Sequence, residues 1–188
     1  MKVVSESLAM AFMNDPLERY VFPDAEERKQ KSPDHFATVL RYGLAFGEAY
    51  ELPNSEGAVV WLPPGKTDIT PEKAERGGLT KMPELIGYDA ALRFFIVSEY
   101  LKSFHITDAP GPHWYTMVIG VTPASCGRGY GKALMQPIIE KAEAAQTPIY
   151  LETFEQANIQ FYTKLGFRVV RELIEPVSNL PVWTFLKD

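Results

Sequence analysis

The chain has a single cysteine among its 188 residues. No internal disulfide can form, which fits a reducing compartment, and a cytoplasmic location is expected. No apolar run approaches the roughly 20 residues of a membrane-spanning helix, so no membrane partner is expected. The N-terminus, Met1-Lys2-Val3-Val4-Ser5, lacks the apolar core of a signal peptide. Positive charge is not in excess: the net charge is −5, and no basic stripe appears. That argues against nucleic acid as a partner and weakly favours a cationic small molecule. Internal repeats and low-complexity tracts are also missing. What remains is an ordinary globular composition, with enough chain to bury a core in one domain, 1–188.

The informative stretch is Val121-Thr122-Pro123-Ala124-Ser125-Cys126-Gly127-Arg128-Gly129-Tyr130-Gly131-Lys132-Ala133-Leu134. Before it, Trp114–Val121 is dense in β-branched and aromatic residues, as a buried strand should be. After it, Leu134, Met135, Ile138, Ile139, Ala142 and Ala145 recur at helical spacing. Strand, alternating glycines and helix in that order predict an anion cradle. A helix N-terminus offers unpaired N–H groups, and glycines let backbone press against a phosphate.

Two familiar phosphate loops fail here. A Walker loop needs Gly at 126 and Ser or Thr at 133, where the chain has Cys126 and Ala133. A dinucleotide fingerprint started at Gly127 needs Gly at 132, where the chain has Lys132. The remaining pattern, Gly-x-Gly-x-Gly-Lys-Ala-Leu, resembles the acetyl-CoA loop of the GNAT superfamily of N-acetyltransferases. That family's Gln/Arg-x-x-Gly-x-Gly/Ala motif is met by Cys126, Gly129 and Gly131, with Cys126 as the departure. A second block follows at the family's distance: Leu151-Glu152-Thr153, then Asn158-Ile159-Gln160-Phe161-Tyr162-Thr163-Lys164-Leu165-Gly166-Phe167. Trp114, Pro137, Leu151-Glu152-Thr153 and Phe161-Tyr162 resemble the branch that contains puromycin N-acetyltransferase.

The resemblance implies an α/β (α+β) fold. Its central sheet is mixed and mainly antiparallel, with splayed parallel strands and flanking helices. It implies an acceptor side over about 1–112 and an acetyl-CoA side over about 113–188. The family's first strand has only Met1–Val4 available, so it is short or missing. Leu8, Ala9, Phe12 and Met13 predict a helix ended by Asn14-Asp15-Pro16. Asp24 and Glu27 predict a cap, and Ser32-Pro33 an interruption. Ala49–Leu52 and Ala58–Leu62 read as a hairpin, and Thr70-Pro71-Glu72 as a helix start. A helix is expected over about 89–104, with Leu92, Phe95 and Ile96 inward. Pro137 should kink the helix after the glycines. Ile149–Phe154 reads as a parallel strand and Glu155–Leu165 as a helix capped by Gly166. Phe167–Leu173 and Val182–Leu186 read as the last strands.

The resemblance further implies acetyl transfer from acetyl-CoA to a primary amine by direct attack, without a metal. An alkyl amine with a pKa of about 10.4 is about one part in a thousand neutral at pH 7, so its proton needs an acceptor. Tyr162 is the expected acid for the leaving thiolate, from its place in Tyr-x-x-x-Gly-Phe. Glu152 is the expected base or water relay; strand alternation puts it on the side of Tyr150 and Phe154. Ile119 or Val121 should supply the oxyanion N–H, with Gly120 letting the strand bulge. Gly127, Arg128, Gly129, Tyr130, Gly131 and Lys132 should hold the diphosphate, and Asn158 the pantetheine. His105, His113 and Glu48 are weaker alternatives for the base. Cys126 is not needed as a nucleophile in direct transfer. Trp183 and Phe185 fit either a core or a homodimer contact. A non-catalytic CoA-binding module on the same fold is the competing reading. The acceptor is a small amine whose identity the sequence does not carry.

Overall fold

The computed structural model describes residues 1–188. Its centre is β3, Trp114–Val121, inside a six-stranded sheet of order β1-β2-β3-β4-β6-β5. The flanking strands are β1 (Glu48–Glu51), β2 (Gly57–Leu62), β4 (Ile149–Thr153), β5 (Arg168–Ile174) and β6 (Pro181–Lys187). All pairings are antiparallel except β3 with β4. The expected mixed, mainly antiparallel sheet is therefore present.

The helices are α1 (Lys2–Ala11), α2 (Pro16–Val21), α3 (Ala25–Phe46), α4 (Pro71–Arg76), α5 (Met82–Ile86), α6 (Tyr88–Asp108), α7 (Tyr130–Ala145) and α8 (Asn158–Lys164). One face of the sheet is covered by α7 and α8. There Leu134, Met135, Ile138 and Ile139 pack on Ile149, Leu151, Trp183 and Phe185. Trp183 and Phe185 thus belong to the chain's own core. The other face carries α1, α3 and α6, through the clusters around Leu8, Phe36 and Val60 and around Val97, Leu101 and Phe154. No helix is long and apolar enough to cross a membrane.

Several expectations hold, each for its stated reason. Asp24 caps α3 by accepting from the Glu27 N–H, and Thr70 caps α4 by accepting from the Lys73 N–H. Gly166 takes φ +89 just after α8, where a left-handed residue ends the helix.

The first strand, expected to be short or missing, is missing: α1 already begins at Lys2, and Val4 and Leu8 bury one turn apart. Other expectations are corrected. Ser32-Pro33 does not interrupt α3, which runs through both residues. Tertiary anchors hold that helix: Arg28 donates to the carbonyls of Met13 and Phe22, and Ser32 donates to Glu18. Leu92 is 44% exposed; α6 instead buries Ala90, Ala91, Val97 and Leu101. The buried face of α6 is the one carrying Ala90, Ala91, Val97 and Leu101, and Leu92 lies off it.

Candidate active site

β3 and β4 pair only at Trp114–Ile149 and Tyr115–Tyr150. Past that point β3 stays on β2 as far as Val121, and β4 stays on β6 as far as Thr153. The parallel strands therefore part, leaving a cleft between Met117–Val121 and Leu151–Thr153. Thr122 N–H donates to the Glu56 carbonyl at 2.8 Å, which fixes the phase of the β2–β3 ladder. Antiparallel alternation then turns Val118 and Gly120 toward β2, and the N–H groups of Ile119 and Val121 toward the cleft.

The irregularity in β3 is not at Gly120. It lies opposite Val60/Trp61, where Met117 is the extra residue. Gly120 has another reason to lack a side chain: a Cβ there would come within 2.8 Å of Phe12 and 2.9 Å of Leu8. It lets α1 lie close on the strand.

The glycine loop leaves β3 through Pro123–Ser125 and enters α7 at Tyr130. Gly127 and Gly129 take φ +79 and +80, with open space where a Cβ would be, so their need for glycine is conformational. Gly131 differs: a Cβ would lie 3.0 Å from the Phe161 ring, so it seats α7 against α8. From Gly127 to Lys132 every backbone N–H lacks an intramolecular partner, and no side chain caps α7. Consecutive free donors at a helix start suit an anion. Lys132 is exposed beside them. Arg128, 59% exposed, is loosely tied to Glu56 at 3.8 Å.

A cavity of about 800 Å³ opens beside the cleft, lined by Phe12 just after α1 and by residues from α2, α3, α4 and α6 as well as β3, β4 and α8. Glu152 and Tyr162 both border it. Glu152 lies on the Tyr150 and Phe154 side of β4, as alternation requires. Burial pushes its carboxyl from 4.5 up to about 8. A hydrogen bond from Tyr115 and the Glu152 N–H oppose the rise, while Asp108 adds to it. Tyr162 is 5% exposed, and its ring packs against Phe185 at 5.2 Å. Burial, then the nearby Asp15 and Glu152 carboxylates, hold its phenol pKa well above 10, so it keeps its proton. Asn158, which also lines the cavity, donates its amide to Thr153 Oγ1 at 3.0 Å, leaving its carbonyl oxygen unbonded.

Sequence reasoning missed two groups here. Asp15 lines the cavity while capping α2, accepting from Leu17 and Glu18 N–H. Burial lifts it to about 7, against those two hydrogen bonds. Its sequence signal, Asp-Pro at a helix start, reads as a cap and hides the second setting. Tyr115, the other, resembles any strand aromatic until its contact with Glu152 is seen.

The other candidates make contacts of their own. Glu48 binds Lys141 and Tyr50 at the β1 edge. His105 and His113 bond each other at 2.7 Å, and His113 Nδ1 donates to the Gly111 carbonyl. Burial holds His105 near 3, so it stays neutral; it borders the cavity as a ring stacked 4.3 Å from Tyr150. Cys126 is exposed, its thiol against the Thr122 carbonyl.

Comparison with known proteins agrees with this fold. An uncharacterized N-acetyltransferase of Schizosaccharomyces pombe is 26% identical over 174 residues, covering 88% of this chain and 70% of that protein. A Corynebacterium glutamicum structure, described as histone acetyltransferase HPA2 and related acetyltransferase, superposes with a TM-score of 0.68. It is 23% identical, over 99% of this chain and 88% of the other. Arylalkylamine N-acetyltransferase 2 of Aedes aegypti shares the fold at a TM-score of 0.58 and 15% identity, over 98% and 92% of the two chains. Residues 73–167 match the model of the acetyltransferase (GNAT) family, from the helices before β3 to the end of the Tyr162 segment, and the chain belongs to that family.

Proposed function

We propose that this protein transfers an acetyl group from acetyl-CoA to the primary amine of a small molecule, by direct attack with both substrates bound. One observation carries the reading. Ile119, the raised carboxyl of Glu152 and the protonated Tyr162 border one cavity where β3 and β4 part, and the free N–H run at 127–132 follows the end of β3 in the chain.

Each group has a role that its setting supports. The amides of Gly127 to Lys132 hold the diphosphate, with Lys132 and Arg128 at its rim. The open edge of β3 takes the pantetheine arm as an added strand, and Asn158 offers its carbonyl oxygen to it. Ile119 or Val121 N–H faces the thioester oxygen as charge grows there. Glu152 takes the ammonium proton directly or through water. The new C–N bond forms as the C–S bond breaks, and Tyr162 donates its proton to the departing sulfur. The first 112 residues supply most of the acceptor side. Asp15 and Glu152 suit an amine held as its cation, and Phe12, Phe36, Phe94 and Phe95 suit an apolar body behind it. The likeness to the puromycin N-acetyltransferase branch brings no particular acceptor with it.

Release of free thiol from acetyl-CoA, followed across a panel of aryl amines, polyamines, aminoglycosides and amino-nucleosides, tests the reading. Turnover on at least one amine supports it. Tight acetyl-CoA binding with no thiol released on any amine favours a non-catalytic CoA-binding module.

A further inference from the structure

One polar pair on the cavity wall takes no part in the chemistry above. Glu18 of α2 and His35 of α3 are 2% and 3% exposed, and both border the cavity. His35 Nδ1 lies 3.0 and 3.3 Å from the two Glu18 carboxylate oxygens, and Ser32 Oγ donates to the same carboxylate at 2.5 Å. A carboxylate only accepts, so Nδ1 carries a proton, and Nε2 is left on the side of the ring away from Glu18. That Nε2 is buried and has no partner in the protein. The ring cannot easily turn to find one. Phe36 stacks on it at 5.1 Å, Phe94 meets it edge-on at 4.7 Å and Phe22 at 6.3 Å.

A buried polar nitrogen left unpaired costs stability, and a buried polar pair is a poor stabiliser compared with a well-packed apolar one. A role in packing alone does not account for a buried, unpartnered nitrogen on a residue that borders the cavity. A ligand donor would relieve it. The surrounding phenylalanines suit an aromatic body better than a polyamine, which would stay hydrated.

We infer that His35, oriented by Glu18, is a specificity-determining residue: it accepts a hydrogen bond from a ring hydroxyl on an aryl-bearing amine, a group distinct from the amine that reacts. The inference rests on the acetyl-transfer reading for the identity of the ligand, but its test reads binding rather than turnover.

Calorimetry on the CoA-saturated protein compares tyramine, phenethylamine and 4-methoxyphenethylamine. The methoxy compound keeps the size of the ring substituent but has no proton to donate. Tyramine is expected to bind about tenfold or more tighter than either. In His35→Phe the ratio should fall to about one, as one lost hydrogen bond requires. Glu18→Gln should lower it as well, and decides the matter if His35→Phe does not fold. Equal binding of the three amines, no binding of tyramine at millimolar concentration, or a preference that survives in the variants overturns the inference. Selective binding without thiol release would sink the proposed reaction and leave this site standing. Turnover of all three amines with the same kcat/KM would do the reverse.

Discussion

Tyr115 and Tyr150 face each other as the last residues that β3 and β4 pair. The residue that ends the ladder is also the one whose phenol supports the Glu152 carboxylate. One strand pairing thus marks both the mouth of the cleft and the phenol that acts on the proposed base. Tyr115→Phe should leave the sheet intact and push the Glu152 pKa above about 8, because the donor that lowers it is gone. A shift of the rate profile to higher pH would show this.

Tyr162→Phe removes a hydroxyl and keeps the ring that packs on Phe167 and Phe185. Loss of a general acid is worth about 100-fold or more in kcat. Acetyl-CoA affinity should change by less than about twofold, since the hydroxyl is assigned to the leaving group and not to the diphosphate. Paired turnover and calorimetry measurements check this. A variant with undiminished kcat would remove Tyr162 from the chemistry.

Glu152 makes two pH predictions with opposite signs. As a base it must be ionised, so kcat/KM should rise with pH, pass its midpoint near pH 8, where the carboxyl titrates, and level off above that. Glu152→Gln should lose that limb. For stability, the folded value lies above the usual 4.5, so the fold prefers the neutral acid. The contribution is full below pH 4.5 and is lost as pH rises through about 8. Glu152→Gln should therefore raise Tm relative to the wild type at pH 8.5 and not at pH 4. Thermal melts at the two pH values decide it.

Two glycines should fail in different ways. Gly129→Ala meets open space but must hold φ +80. About 1–2 kcal/mol of left-handed strain follows, along with weaker acetyl-CoA binding as the loop relaxes. Gly120→Ala meets Phe12, Leu8 and Ala11. Overpacking there should cost about 1–3 kcal/mol by pushing α1 off the strand. Denaturant melts with calorimetry separate loss of fold from loss of ligand.

The half of the fold after Trp114 was legible because its signals are local. A β-branched run, left-handed glycines and a helical stripe each fix their own element. Glu152 could be placed on its face by alternation alone. The region before β3 was less legible because tertiary contacts override local rules there. Pro33 sits in an unbroken α3 held by Arg28 and Ser32, and α6 turns Ala90, Ala91, Val97 and Leu101 inward and leaves Leu92 outside. Asp15 carries a capping signal that masks its place beside Tyr162. Glu18 and His35 lie far apart in sequence and meet only once α2 packs on α3.

The central claim is that the amides from Gly127 to Lys132 grip the diphosphate of acetyl-CoA. Amide NMR of the labelled protein titrated with CoA reads it directly. The Gly127, Gly129 and Gly131 cross-peaks should move downfield together and saturate, as free N–H groups acquire phosphate acceptors. Cross-peaks that stay in place while CoA binds elsewhere, or while nothing binds at millimolar ligand, would contradict the account.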